Sequence, residues 1–297
     1  METCQLRNWG GELGLNAVGV APAIDEGRRV FPWARSVVCA AISYLPPDEE
    51  PPSRSHSADT SGGTPRGLVA RFARGADYHG VLREKLARLA ARLLSRQPRA
   101  RLEVCVDTAP IPERKLAVLA GIAWRGYNSN VFVDGCGSWV SLGEIVTDLD
   151  LPVGTPLEID RCSDCARCLR HCPTGAITAP YTVDRTRCLS WLTQSRKPIP
   201  VHIRLKLGIR IYGCDTCQEV CPQNAALKPI TPEFADRRFP GAYPELIPLV
   251  EMTQRDFEQL VKPSAIGWIG LARLKRNAQI ALENLKRGCD GPSHGCV

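Results

Sequence analysis

Cys162-Ser163-Asp164-Cys165-Ala166-Arg167-Cys168-Leu169-Arg170-His171-Cys172-Pro173 is the stretch on which the fold turns. Three cysteines at intervals of three lie on a tight turn, so their thiolates reach three irons around one corner of a cubane. Pro173 then turns the chain away, and Cys172 points to a neighbouring site. A second run, Cys214-Asp215-Thr216-Cys217-Gln218-Glu219-Val220-Cys221-Pro222, has the same ending but is one cysteine short of the full pattern. Cys188, upstream of it, is the replacement.

The first run is the bacterial ferredoxin pattern, in which the fourth cysteine binds the other cluster. Crossing the last cysteines assigns Cys162, Cys165, Cys168 and Cys221 to one four-iron–four-sulfur cluster, and Cys172, Cys188, Cys214 and Cys217 to the second. Zinc also uses Cys-x2-Cys pairs. It would need only two of the three intervals in the first run, and it gives no reason for two Cys-Pro endings. Of the remaining cysteines among the 14, Cys4, Cys289 and Cys296 read as surface thiols, while Cys39 and Cys105 are small hydrophobes in apolar strands. A disulfide framework belongs to small secreted proteins, and this chain matches neither description.

The chain has 297 residues, 44% of them hydrophobic, enough for one large domain with an insert or for two smaller ones. No stretch approaches the roughly 20 apolar residues of a membrane helix. The start, Met1-Glu2-Thr3-Cys4, lacks the basic and apolar character of a secretory signal. A soluble, cytoplasmic protein is expected. The net charge of +7 is modest, but Arg185, Arg187, Arg196, Lys197, Arg204, Lys206 and Arg210 fall together with no acid among them. Such a stretch attracts a polyanion or an acidic protein, or is simply a solvated face.

Ahead of the cysteines, strands and helices alternate, which gives an α+β fold. Ser36–Ile42 is an apolar run suited to a buried strand. Pro46–Gly67, with Asp48-Glu49-Glu50, reads as a mobile surface loop. Leu82, Leu86, Leu89 and Leu93 form one helical stripe, with Asp77 placed as its cap. Leu102–Val106 reads as a strand ending at Asp107, and Pro112 to about Ala120 as a helix closed by Gly121. Val131–Val133 and Ser138–Val146 are further strands, with Gly135-Cys136-Gly137 as the turn between them. A composition break at Leu151–Pro156 sets the expected boundaries: 1–155 a catalytic domain, 156–235 a two-cluster ferredoxin-like domain, 236–297 a C-terminal helical segment. That last segment has one good helix between Ile266 and Arg287, stopped at Gly288, and then a frayed end.

A ferredoxin of this type needs only about a quarter of the chain, so the part in front should hold the electron acceptor or the substrate. No Gly-x-Gly-x-x-Gly follows a strand and no Walker-type loop is present, so neither nicotinamide binding by that fold nor nucleotide hydrolysis is supported. Taken in order, several tags resemble one known family. They are Arg71-Phe72-Ala73-Arg74-Gly75-Ala76-Asp77-Tyr78-His79; Asp107-Thr108-Ala109-Pro110 with Glu113-Arg114; Ala120-Gly121-Ile122-Ala123-Trp124-Arg125-Gly126; Gly137-Ser138-Trp139 with Leu142-Gly143-Glu144; and Arg210-Ile211-Tyr212-Gly213-Cys214-Asp215 with Cys217-Gln218. Together with Cys188 they look like epoxyqueuosine reductase, the cobalamin-dependent iron–sulfur enzyme that completes queuosine in tRNA. The resemblance covers nearly the whole chain.

It implies an N-terminal cobalamin-binding domain related to nitroreductases, followed by the two-cluster domain. In that family the clusters pass single electrons to the corrin cobalt, the epoxide oxygen leaves the modified base, and an acid protonates it. The acid's position falls on Asp107. The bottom-up case for it is a carboxyl at a strand end, partly desolvated and raised in pKa; the alternative is a turn-forming or capping aspartate. Tyr78 and His79 become neighbours of the corrin, although Asp77-Tyr78-His79-Gly80-Val81-Leu82 lacks the last glycine of an Asp-x-His-x-x-Gly ligand signature. Asn128, Ser129 and Asn130 are cobalamin contacts by position, with a surface turn as the alternative, and Asp215 is a further cofactor-binding position. The basic stretch acquires a partner in the tRNA anticodon stem-loop, or else in an acidic donor such as flavodoxin or a ferredoxin. Two departures from the family stand out: Tyr127 replaces its lysine in Gly126-Tyr127-Asn128, and the sequence ends soon after the helix at Asn277 to Leu285, where longer members extend into a helical-repeat domain. A corrin-dependent reductase of a small molecule, similar to reductive dehalogenases, and a pure electron-transfer protein are the rival expectations.

Overall fold

Ser36–Ser43 is buried along its whole length, as its unbroken apolar sequence requires, and it is a central strand of a four-stranded sheet. The computed structural model describes residues 3–47, 64–107, 109–157, 160–235 and 239–288. Asp48-Glu49-Glu50, Thr108, Cys289 and Cys296, and most of the expected 46–67 loop, lie outside the described residues. The chain divides into two compact units, each assembled from separated segments. Met1–Leu45, Tyr78–Ser163 and Ala226–Pro232 form the first; Pro46–Asp77, Asp164–Ala225 and Glu233–Val297 form the second. The first unit runs through the Leu151–Pro156 break and ends inside the first cysteine run.

In the first unit the strand order is Ala17–Pro22, Ser36–Ser43, Val140–Thr147, Leu102–Cys105, antiparallel throughout. Alternation along the strands sends side chains to two covered faces. Val37, Cys39, Ala41, Leu142 and Val146 pack with Leu116 and Ala117 of the helix Glu113–Leu119. The other face meets the helix Tyr78–Arg96, whose Leu82, Leu86, Leu89 and Leu93 are fully buried. Gly143 permits that approach, because a Cβ there would stand 2.7 Å from Leu86 Cδ1. One expectation shifts. Val131–Phe132 pairs with Trp124–Arg125, and not with the strand that follows it; the Gly135-Cys136-Gly137 turn closes only on a single bridge, Val133 to Gly137. Ser138 to Val146 instead supplies the strand Val140–Thr147, inserted between Ser36–Ser43 and Leu102–Cys105, where its apolar residues are covered on both sides.

The second unit has its own core. Leu189 and Leu192 on one helix, Ile203 and Leu207 on the next, with Ile199 and Ile280, bury one another, and Cys214 packs at their edge. The helix Leu271–Lys286 is tied in by two buried amides. Asn277 Nδ2 donates to the carbonyls of Thr193 and Ile211, each at 2.8 Å, and Asn284 Nδ2 donates to those of Arg204 and Gly208 at 2.8 and 2.9 Å. Each satisfied amide replaces the water lost on burial. The helix starts later than Ile266 because Gly270, at φ +77°, separates it from a 3-10 turn over Gly267–Ile269. Arg210–Tyr212 pairs in parallel with Leu68–Val69, a contact between segments far apart in sequence. No helix among the described residues is long and apolar enough to cross a membrane.

Candidate active site and cluster ligands

Leu102–Cys105 ends two residues before Asp107, and Asp107 adopts the left-handed conformation, φ 52°. Aspartate tolerates that region better than most residues. The turn directs its carboxylate to the start of the Tyr78–Arg96 helix. There Tyr78 Oη donates a hydrogen bond to Asp107 Oδ2, and His79 Nε2 lies 3.4 Å from the same oxygen. The two rings are stacked, with centroids 4.0 Å apart. The Asp107 side chain is 46% exposed and that of His79 27%, so the cluster opens to solvent and to a substrate.

The acid–base balance differs from the expectation. Asp107 is held below the ordinary aspartate value, first by its hydrogen bond to His79, against desolvation, and then by Tyr78. The expected raising of its pKa therefore does not occur, because His79 and Tyr78 both bond to the ionised form. The raised acid is Glu113. Burial, then the negative charge of Asp107, pushes it from 4.5 to about 7. Glu113 Oε1 also accepts the backbone N–H of Asp107 at 3.0 Å.

A third carboxyl lies beneath. Glu144 is fully buried in the central strand Val140–Thr147, opposite Cys39 and Cys105, and neither of its oxygens has a hydrogen-bond partner. Burial drives its pKa well up, with Glu113 and Asp107 adding to the push, so it is neutral. Burial likewise raises the Cys105 thiol to about 12 and the Cys136 thiol to about 11. The sequence marked Glu113 and Glu144 only as parts of longer tags; an acid inside an apolar strand was the signal that Glu144 carried.

Asn128, Ser129 and Asn130 lie in a closed turn of the first unit. Gly126 N–H donates to the Asn130 carbonyl and Asn130 N–H to Asn128 Oδ1, at 2.9 and 3.1 Å. Arg114 Nη1 donates to the Ser129 carbonyl and Arg125 Nη2 to Ser129 Oγ, at 2.9 and 3.3 Å. At Tyr127 the backbone N–H donates to Cys162 Sγ at 3.4 Å.

In the second unit, Cys217 has a thiol pushed well up by burial and then by Cys214, Cys188, Asp215 and Cys172. Those four cysteines are one electrostatic neighbourhood, although they come from both cysteine runs and from the start of the Leu189–Gln194 helix. Cys188 is also raised, by burial first and then by Cys214 and Cys172. Cys172 goes the other way. Its desolvation is outweighed by the N–H groups of Thr174, Ile177 and Ala176, the last at 3.2 Å from Sγ. Donors of this kind stabilise a thiolate, the form that binds iron.

Asp215 is buried between Cys214 and Cys217 in sequence and accepts the Arg71 N–H at 2.7 Å. Among the described residues, no three His, Cys, Asp or Glu side chains close around the space of a single ion; a cubane spreads its thiolates more widely. The first run winds tightly, with Ser163 and Ala166 at φ 37° and 42°. The short helix Arg167–Arg170 packs against Thr216–Glu219, which brings the two runs side by side. Cys162 belongs to the first unit while Cys165, Cys168 and Cys221 belong to the second, so their grouping rests on spacing.

The basic stretch is only partly solvated. Arg210 is buried and donates to the Leu207 carbonyl and Thr216 Oγ1; Arg187 donates to the Thr174 carbonyl and Arg204 to that of Ile199. Arg196, Lys197 and Lys206 are exposed, and Arg185 lies over the exposed Trp191 ring.

Residues 161–224 match the 4Fe-4S double cluster binding domain, and residues 26–108 match the family described as epoxyqueuosine reductase QueG. An epoxyqueuosine reductase of Escherichia coli is 39% identical, over 94% of this chain and 80% of that protein. One from Bacillus cereus is 36% identical over 86% of this chain, which spans 66% of that longer protein. A crystal structure of epoxyqueuosine reductase with an epoxyqueuosine-modified tRNA-Tyr stem-loop superposes with a TM-score of 0.86 at 31% identity, covering 95% of this chain and 81% of that one. The chain belongs to the epoxyqueuosine reductase family of oxidoreductases.

Proposed function

We propose that this protein reduces epoxyqueuosine to queuosine in tRNA. The observation that carries the proposal is the convergence of Tyr78 and His79 on the exposed carboxylate of Asp107. Loss of the epoxide oxygen as water consumes two electrons and two protons, so the site needs an electron path and a proton source. Cys172, Cys188, Cys214 and Cys217 hold one four-iron–four-sulfur cluster; Cys162, Cys165, Cys168 and Cys221 hold the other. Cobalamin, when bound, supplies a reducible cobalt that relays single electrons to the substrate. Its partners are taken to be Tyr78 and His79, with Asn128, Ser129 and Asn130 nearby, in a nitroreductase-like first domain. The stacked rings suit the face of a large planar macrocycle.

Asp107 delivers the proton to the departing oxygen. At rest it is ionised, while Glu113 retains its proton near neutrality. The Asp107 side chain is half exposed, so Asp107 takes up the proton from solvent before passing it on. Asp215 fixes Arg71 next to the second cluster set. The exposed cations Arg185, Arg196, Lys197 and Lys206 meet tRNA phosphates. A low-potential donor such as flavodoxin or a ferredoxin supplies the electrons.

The test is anaerobic reconstitution with iron, sulfide and cobalamin, followed by turnover on an anticodon stem-loop bearing epoxyqueuosine. Queuosine, read by mass spectrometry of the nucleosides, is the expected product. A fully loaded protein that leaves the epoxide intact under a strong reductant would defeat the proposal.

A further inference from the structure

Asp107 is in the left-handed region, φ 52°, and its backbone N–H points at a carboxyl six residues ahead. From Ala109 to Glu113 the chain is tightly turned. Ile111 N–H donates to the Ala109 carbonyl at 2.8 Å, and Glu113 N–H donates to the Ile111 carbonyl at 3.0 Å. Glu113 begins the helix Glu113–Leu119, and Leu116 and Ala117 of that helix are buried against the sheet. The helix is therefore a fixed post, and the Glu113 side chain reaches back from it to the turn that carries Asp107.

We propose that Glu113 is a positioning residue: its carboxyl latches the Asp107 N–H and holds the turn in the one conformation that presents the Asp107 carboxylate to Tyr78 and His79. Several conformations of the turn compete. A non-glycine residue at positive φ relaxes to the extended or right-handed region unless something outside it fixes the backbone. Here the fixing contact is the 3.0 Å hydrogen bond from Asp107 N to Glu113 Oε1. Without it, the turn joining Leu102–Cys105 to the following helix has other conformations of similar energy, and most of them carry the carboxylate away from the two rings. The latch needs only an acceptor oxygen. A protonated carboxyl and an amide both keep one, so Glu113→Gln preserves the contact and Glu113→Ala abolishes it.

The inference rests on Asp107 being the proton donor, so the experiment has two arms. In the first, hydrogen–deuterium exchange is followed by mass spectrometry on a peptide spanning Val104 to Pro110, in wild type, E113Q and E113A. The expected result is exchange about tenfold faster in E113A and near wild type in E113Q, as for one lost hydrogen bond. In the second, steady-state turnover of the epoxyqueuosine stem-loop is measured on the reconstituted proteins. kcat is expected to fall at least tenfold in E113A, with KM within about twofold, and to recover largely in E113Q.

Wild-type exchange in E113A overturns the latch. So does an E113Q that exchanges or turns over as poorly as E113A, because the proton and not the acceptor would then matter. If wild type itself leaves epoxyqueuosine untouched, the functional reading fails and the exchange arm alone decides the latch.

Discussion

Replacing Glu113 with Gln should change the pH dependence of stability in a calculable way. Glu113 has an ordinary value of 4.5 and a folded value of about 7. Between those values the folded chain binds a proton that the unfolded chain has lost. Stability therefore falls as pH rises through the window, by about 1.4 kcal/mol per pH unit, and the loss is complete above pH 7 at about 3 kcal/mol. Asp107 has the opposite sign. Its depressed value adds stability above the ordinary aspartate range and loses it only in acid, so it contributes no slope between pH 5 and 8. The other charged or titratable groups acting on Glu113 are Arg114 and the neutral Glu144. Glu144 adds its own slope, set first by its burial, which E113Q leaves in place.

The difference between the two proteins isolates Glu113. Thermal unfolding of the anaerobically reconstituted pair, monitored at pH 5 and at pH 8, is the assay. The midpoints should agree at pH 5, and E113Q should melt higher at pH 8 by about 6 °C, at about 2 °C per kcal/mol for a chain of this size. A difference between the two proteins that does not vary with pH would refute the assignment of the raised acid to Glu113.

Asp107→Asn should keep iron and cobalamin at wild-type levels while kcat drops by about 10²- to 10⁴-fold, the usual worth of a positioned acid; retained turnover removes Asp107 as the donor. Cys188→Ser should lower iron after reconstitution from about eight to about four per chain, and full iron in that variant refutes the crossed ligand scheme. Binding of the anticodon stem-loop, measured by anisotropy across a salt series, should weaken with a log–log slope of about −3 if the four exposed cations each neutralise a phosphate. Arg196→Gln and Lys197→Gln should each reduce that slope by about one unit, whereas a slope that ignores both changes places the tRNA on another surface.

Local pattern carried much of the architecture. The leucine stripe at 82, 86, 89 and 93, the apolar run at Ser36 and the helix after Pro112 were readable because each follows its own backbone period, 3.6 or 2. The order of strands was not. Val140–Thr147 finds its neighbours at Ser36 and Leu102, and Arg210–Tyr212 finds Leu68–Val69, through packing that no nearby residue encodes. The same limit applies at the site. Asp107 was readable from its motif, but its ionisation was not, because the donors that lower it come from a helix almost thirty residues earlier in the chain. Glu113 and Glu144 were visible as letters in the sequence; only the fold shows that they share a face with one another. The charge run from Arg185 to Arg210 looked uniform in sequence, yet three of its arginines spend hydrogen bonds on backbone carbonyls.

Paired cubanes held by crossed thiolates are what the whole account requires. Iron and acid-labile sulfide should each be counted in the chain after anaerobic reconstitution. About eight of each per chain, with no zinc, is the result the ligand scheme predicts. Zinc in their place, or a count that stays near four for the unaltered sequence, would contradict it.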